Sequence, residues 1–349
     1  MYKIIQKRKY WFIISSTLII ISIIFLFVWG LKLGIDFTGG SLLEIEFTNS
    51  RPTNEEMTNK LSDLELNTLN LQPSNDLGLL IRTESISEEK HQEILNKINE
   101  LFIVETKEAT TNEVQSISAE NLNIQGEGIE GLTITPVGED GEVTFETSLA
   151  GNQISENMTE LRFDSIGPTI GNELKQKAFY AIIIVLIAII LYIAYAFRKI
   201  SEPVESWVYG LSAIIALAHD IIIITGIYSL LGYLFNYQTD ALFITALLTI
   251  LGFSVHDTIV TFDRIRENLY RHQEETFEVV VNRSVNETII RSLNTSLTTL
   301  FVLLAIYLFG GVTIHNFVLT LMLGVIIGTY SSIFIASPLL VVWYKLKKY

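Results

Sequence analysis

The stretch WVYGLSAIIALAHDIIIITGIYSLL, Trp207 to Leu231, is apolar almost throughout and carries an aspartate near its centre. A helix needs roughly 20 such residues to cross about 30 Å of hydrocarbon, and this stretch is long enough. Asp220 lies about a dozen residues from either end, with His219 beside it as the second group able to titrate near neutrality. A charge at that depth costs about 2.5–3.5 kcal/mol on insertion scales, and residues kept there serve proton, ion or substrate paths. The chain reads first as a membrane machine.

Five more blocks are of similar length: Trp11–Leu31, Ala178–Phe197, Ala241–Val260, Ile289–Phe309 and Phe317–Trp343. Barrel strands are about half as long and alternate in polarity, so the prediction is a polytopic α-helical membrane protein with six transmembrane helices. The mean hydropathy of +0.39 agrees. Lys and Arg set the expected orientation, because cytoplasmic loops carry an excess of both. With the N-terminus inside, the inner segments hold Lys3, Lys7, Arg8 and Lys9; Arg198 and Lys199; Arg264, Arg266, Arg271 and Arg283; and Lys345, Lys347 and Lys348. The outer connections Asn236–Asp240 and Gly310–Asn316 hold none, so both termini are expected in the cytoplasm. Lys32-Leu33-Gly34 follows the first span in place of a small-residue cleavage site, and that span reads as a retained signal anchor.

Three regions follow: residues 1–31 with the N-terminus and first helix, residues 32–176 as one external domain, and residues 177–349 with helices 2–6. The middle region carries 27 Asp and Glu against 9 Lys and Arg, a net of −18, while the whole chain is at −14. That acidity argues against nucleic acid as a partner. A solvated surface accounts for it without a cationic ligand. The chain has no cysteine, so no disulfide braces the domain.

Periodicity predicts a small α+β unit. Ser41–Thr48 alternates, with Leu43, Ile45 and Phe47 on one face and Glu44 and Glu46 on the other. Thr53 with Glu56 is a capping box opening a helix to about Leu64. Short strands are expected near Thr68–Gln72 and Leu77–Arg82, a helix from Ser87 burying Ile94, Ile98 and Leu101, and a last strand at Glu160–Ile166. The order βαββαβ is ferredoxin-like. An acidic insertion, about residues 105–157, is expected to contain a hairpin of Leu132–Pro136 and Glu142–Ser148. No phosphate loop, nucleophile elbow or metal-ligand spacing occurs, so no enzymatic activity, metal or cofactor is expected. With no ATP site, such a machine draws its energy from a gradient or a partner.

Two motifs flank the external domain: Gly34-Ile35-Asp36-Phe37-Thr38-Gly39-Gly40, and Phe163-Asp164-Ser165-Ile166-Gly167-Pro168-Thr169-Ile170-Gly171. Their glycines suit tight turns and close backbone approach. Together with His219-Asp220, the run Phe262-Asp263-Arg264-Ile265-Arg266-Glu267-Asn268, Asn282-Arg283-Ser284, Thr295-Ser296-Leu297-Thr298-Thr299 and Gly328-Thr329-Tyr330-Ser331-Ser332, they make the chain resemble the SecD/SecF family of bacterial protein-export membrane subunits over essentially its whole length. The family more often has Asn-Asp where this chain has His256-Asp257, and the acidic insertion enlarges the external domain. The resemblance implies the resistance-nodulation-division superfamily, whose members couple proton flow to motion of external domains. It implies an accessory role at a SecYEG-type channel in the bacterial cytoplasmic membrane. A SecD-like six-helix subunit, a membrane insertase, small accessory subunits and the exported polypeptide are the implied partners, with the lipid bilayer around them. A proton gradient, or sodium in its place, is the implied source of energy. Six spans suit half of a pseudo-symmetric unit. Two other readings stay open: a proton-driven exporter of small hydrophobic molecules on the same scaffold, and a structural membrane partner whose carboxylates never titrate.

The expected proton relay is Asp257, Asp220 and Arg291. Burial disfavours a charged carboxylate and a nearby cation favours it, so water access or movement of a cation changes proton occupancy. Asp257 is about six residues past its span's midpoint, roughly 9 Å, and Arg291 at a similar level is expected to pair with it. The resemblance favours this centre, because the superfamily's proton-carrying carboxylates lie on the fourth span. Thr261 and Arg264, at i+4 and i+7 from Asp257, extend the path inward; His219 and His256 are supporting candidates. The junction candidates are Gly34, Asp36, Phe37, Thr38, Gly39, Gly40, Phe163, Asp164, Gly167, Pro168 and Gly171. Gly324 and Gly328 predict close helix packing, Pro338 a kink, and Arg266–Asn282 an interfacial helix.

Overall fold

The structure, a computed structural model, describes residues 2–64, 66–109, 157–197 and 203–348. The expected hairpin in the insertion, Arg198 and Lys199 lie outside the described residues. In chain order the elements are α1 (Arg8–Val28), a single turn α2 (Ile35–Thr38), β1 (Gly40–Phe47), α3 (Asn54–Leu61), β2 (Leu69–Pro73), β3 (Gly78–Thr83), α4 (Glu88–Ala109), β4 (Met158–Ile166), α5 (Pro168–Ala196), α6 (Ser206–Phe235), α7 (Ala241–Arg271), α8 (Phe277–Phe309), α9 (Val312–Ser331), a π turn (Ser332–Ala336) and α10 (Ser337–Lys348). They form two units, Met1–Gly39 with Ile166–Tyr349, and Gly40–Ser165.

Among the described residues, six helices are long and apolar enough to cross a membrane: α1, α5, α6, α7, α8, and the run Thr313–Lys347 made of α9, the π turn and α10. Three boundaries differ from the sequence reading. α5 begins at Pro168, well before Ala178, because Gly167 sits at its N-cap and a proline at N1 gives up only a donor that has no helical partner anyway. α7 continues past Val260 to Arg271, and α8 starts at Phe277, so no separate interfacial helix occupies Arg266–Asn282. Pairs one turn apart, Arg266 with Asp263 at 3.3 Å and Arg271 with Glu267 at 2.6 Å, support the polar extension. The α/β unit begins at Gly40, not at residue 32, because α2 groups with the helices.

Small residues let the helices approach. A Cβ on Gly328 would lie 3.0 Å from Ser254 Cβ, and one on Gly324 would overlap Ile250, so the paired glycines pack α9 on α7. Gly226 of α6 meets Ser22 of α1 in the same way, down to the Ser22 backbone. Gly226→Val is therefore expected to destabilise the purified chain by about 1–3 kcal/mol through overpacking. Gly252→Val, with nothing within 4 Å, should leave its thermal unfolding unchanged. The π turn lies directly before Pro338, where Ser337 Oγ donates to Ser332 O at 3.2 Å; the expected interruption is a widened turn.

Residues ahead of α1 are strapped to α8. Asn286 Oδ1 accepts from Tyr2 N at 2.6 Å, Asn282 Oδ1 accepts from Ile5 N at 3.2 Å, and both amides donate to Tyr2 O. Ile4 and Ile5 are buried there, and Glu278 holds both Arg8 at 2.8 Å and Lys345 at 2.6 Å. The segment ahead of α1 and the last helix α10 are thus both held to the start of α8.

Unit Gly40–Ser165 shows βαββαβ order among its described residues, with strands arranged β2-β3-β1-β4. β1 pairs antiparallel to β3, Leu43 opposite Ile81 and Ile45 opposite Leu79. Leu43, Ile45 and Phe47 form its core with Met57, Ile94 and Ile98. Glu44, expected on the polar face, is also buried. The capping box forms as predicted: Thr53 Oγ1 accepts from Glu56 N at 3.2 Å and Glu56 Oε2 accepts from Thr53 N at 2.8 Å. The backbone bond from Thr53 holds the Glu56 carboxyl below its ordinary range.

Candidate functional site

α6 carries Asp220 into the middle of the bundle, where it is fully buried. Oδ2 accepts from Ser254 Oγ of α7 at 2.7 Å and from Ser331 Oγ of α9 at 2.8 Å. Oδ1 bonds His219 Nδ1 at 2.9 Å. His219, though adjacent on the helix, therefore folds back onto the carboxylate; its other nitrogen, Nε2, is buried with no hydrogen-bond partner. Its ring stacks on Tyr330, centroids 6.1 Å apart, and Tyr330 OH bonds Ser15 of α1 at 3.0 Å. One carboxylate thus joins three helices. Hydrogen bonds to charged groups are worth about 1.5–3 kcal/mol each, about twice the neutral kind.

Asp257 is buried on α7, and its Oδ2 has no hydrogen-bond partner. Arg291 is close enough to act on it electrostatically but forms no ion pair with it, or with any described carboxylate. Ser292 is the α8 residue turned inward beside Asp257, buried with its own Oγ unbonded. Neighbouring positions on a helix point about 100° apart, so with Ser292 facing in, Arg291 faces out. The expected contact of Asp257 with Arg291 is replaced in this state by a serine that faces Asp257 without reaching hydrogen-bond geometry. His256, the preceding residue on α7, is exposed and also acts on Asp257 electrostatically.

Thr261 is buried one turn beyond Asp257; its hydroxyl donates to Asp257 O at 3.1 Å and lies 3.4 Å from Thr288. Arg264 belongs to a separate network, paired with Glu287 at 2.6 Å and Glu267 at 2.5 Å. Arg264 lines a cleft of about 390 Å³ together with Val260, Asp263, Glu267, Thr288 and Arg291. Thr288 and Arg291 reach it from α8.

At the other end of the bundle the first junction motif is tied to the loop between α6 and α7. Gly34 N donates to Thr239 O at 2.8 Å, Thr239 N donates to Lys32 O at 2.8 Å, and Asp36 Oδ2 accepts from Ala241 N at 2.7 Å. Asp36 thus caps the start of α7 together with Asp240, which accepts from Phe243 N at 2.8 Å. Thr38 Oγ1 donates to Gly34 O, and Phe37 is buried. Gly39 takes φ +75° and Gly40 φ +136°, conformations that favour glycine. A Cβ on Gly171 would lie 2.9 Å from Gly39 N, and one on Gly39 would lie 2.8 Å from Pro168 Cα. Gly167 has φ −67° and open space around it, so it needs no glycine for either reason. Phe163 and Asp164 lie on β4; Phe163 stacks on His91, centroids 3.7 Å apart, and Asp164 pairs with Arg162.

Ser254, Ser331 and Ser292 were missed as site residues by the sequence reading. Ser331 stands within the run Gly328–Ser332; for the other two the signal is a small polar residue in an apolar helix, which packing explains equally well.

Six membrane-crossing helices with aspartates held between them, and an α/β unit inserted after the first, define a multi-pass membrane protein of the transport class. The profile described as "Protein export membrane protein SecD/SecF, C-terminal" matches residues 146–346, and the SecD/SecF GG motif matches residues 24–50. The chain belongs to the SecD/SecF family. It is 39% identical over 98% of its length to a chain named protein translocase subunit SecF from Thermobaculum terrenum, covering 94% of that chain. A chain of the same name from Anaerolinea thermophila is 36% identical over the same shares. The crystal structure of SecDF from Thermus thermophilus, described as a translocon-associated membrane protein, superposes with a TM-score of 0.72 at 27% identity over 99% of this chain. The chain spans 39% of the length of that SecDF chain.

Proposed function

We propose that the chain is the SecF-type half of a protein-export auxiliary, which lets protons pass through the Asp257 and Asp220 region and uses that passage to move its acidic α/β domain, drawing polypeptide outward. The observation that carries this reading is Asp257: a buried carboxylate oxygen without a hydrogen bond, near an arginine without an ion pair, inside a family whose relatives are named translocase subunits. Such a pair changes proton occupancy when the cation moves. In this role the chain carries out no covalent chemistry of its own. Both termini and the cleft beside Arg264 face the cytoplasm, and residues 40–165 lie outside; the excess of Lys and Arg at the terminal end supports that orientation.

A SecD-like subunit covers the face formed by α7 and α8. His256, Arg291 and Asn294 are exposed there, and polar groups left facing hydrocarbon cost several kcal/mol each. The SecYEG-type channel and the emerging polypeptide are the remaining partners.

The test is export by proteoliposomes containing the channel, the SecD-like partner and this chain. Stimulation by this chain should require an inward proton gradient and vanish with a protonophore. Stimulation that follows a sodium gradient instead would assign the coupling ion to sodium, and stimulation indifferent to both would leave only a structural role.

A further inference from the structure

Two hydroxyls share one oxygen of Asp220, and only one of them has somewhere else to go. Ser331 Oγ lies 2.8 Å from Asp220 Oδ2 and also 3.1 Å from Gly328 O, one turn back on its own helix. Its single O–H can serve one acceptor at a time. Ser254 Oγ has Asp220 Oδ2 at 2.7 Å and no second acceptor among the described residues. Directly after Ser331 the chain enters the π turn and then α10. Ser331 therefore stands where α9 is held to α6 on one side and where the last span changes its winding on the other.

We propose that Asp220, Ser254 and Ser331 form a proton-operated latch in which Ser331 alone lets go. With Asp220 charged, Oδ2 accepts from both hydroxyls and pins α7 and α9 to α6. When Oδ2 takes a proton it becomes a donor and a poor acceptor. Ser254, lacking an alternative, turns its lone pair to the new O–H and keeps α7 attached. Ser331 turns its O–H to Gly328 O, and α9 is released from α6. The π turn, wound i→i+5 between two α-helical segments, is the place where α10 then shifts. No bond is made or broken beyond the transfer of that one proton. The groups that face Asp220 are His219 from its own helix, Ser254 from α7 and Ser331 from α9, with Tyr330 of α9 stacked on His219; among the described residues no other charged side chain acts on it. The latch rests on the proton role proposed above for Asp220 and assigns Ser331 as the positioning residue through which that role reaches α10.

The chain has no cysteine, so spin labels can be placed at will. Trp207→Cys on α6 and Leu346→Cys on α10 put two exposed labels at the mouth of one groove. Their distance distribution is read on the full chain in lipid nanodiscs, with no gradient, at acid and alkaline pH. The parent should show one population at alkaline pH and a second at acid pH. Ser331→Ala should show the acid population at both, Ser331→Thr should restore the pH response, and Ser254→Ala should stay in the alkaline population at both, since Ser331 must then accept the proton. A distribution independent of pH in the parent, or the same behaviour from both alanine variants, overturns the latch. Gradient-driven export with a pH-independent distance would sink the latch alone. A pH-dependent distance with export indifferent to any gradient would sink the coupling and leave the latch.

Discussion

Asp257→Asn should leave the chain folded and inserted but abolish gradient-dependent stimulation of export. The amide preserves shape and size, and the carboxylate oxygen it replaces makes no hydrogen bond that would be lost. It cannot accept a proton, so the step that uses the gradient disappears. About 2.3 kcal/mol is available per charge moved fully across 100 mV, so coupling survives only if each proton finds a titrating site at the right depth. Asp220→Asn should impair export as well, and Arg264→Lys should change little, because Arg264 is already held by Glu267 and Glu287. The measurement is export by reconstituted vesicles with and without a protonophore. Full stimulation by Asp257→Asn would remove the fourth-span assignment; complete loss from Asp220→Asn with full activity in Asp257→Asn would move the path to α6.

The second large effect is expected at the junction. Gly171→Val drives a side chain into the Gly39 and Phe37 backbone, and Gly39→Val adds an unfavourable φ to a clash with Pro168. Overpacking costs about 1–3 kcal/mol, and a strained non-glycine conformation adds about 1–3 kcal/mol. Both variants should lose export while proton flux through the bundle persists, since Asp257 lies far along α7 from this end. Gly167→Val, facing open space, should behave as the parent. Paired measurement of flux and export on the same vesicles decides the matter. Proportional loss of both would mean that the junction serves the ion path or folding, and transmission through it would be refuted.

The comparison of these glycines shows what a sequence can tell. Gly39, Gly167 and Gly171 look alike in their motifs, but only the structure reveals that Gly39 and Gly171 touch across more than 130 residues of chain. The six spans were legible because length and apolarity are summed properties that single residues rarely upset. Their ends were less so: the polar continuation of α7 to Arg271 is stabilised by pairs along the helix, which hydropathy counts as loop. Asp220 and Asp257 stood out by depth. Ser254, Ser292 and Ser331 did not, because whether a serine faces a carboxylate or a methyl group depends on how each helix is rotated against its neighbours. For the same reason Arg291 was expected where Ser292 is found.

The bonds on either side of α1 also bear on the order in which the protein is made. The segment after it is tied to Thr239 and Ala241, and the strap ahead of it to Asn282 and Asn286. Each of these partners is synthesised more than 200 residues later. The ties on either side of α1 thus form late. Until α7 and α8 have been made, Asp36 has no helix to cap and the strap has no asparagines to bind, so α1 is held to the growing bundle through α6, where Ser22 meets Gly226 and Ser229 donates to Phe25 O and Gly30 O. A chain that stops at Phe235, the end of α6, therefore keeps α1 on α6 but lacks the bonds on either side of α1.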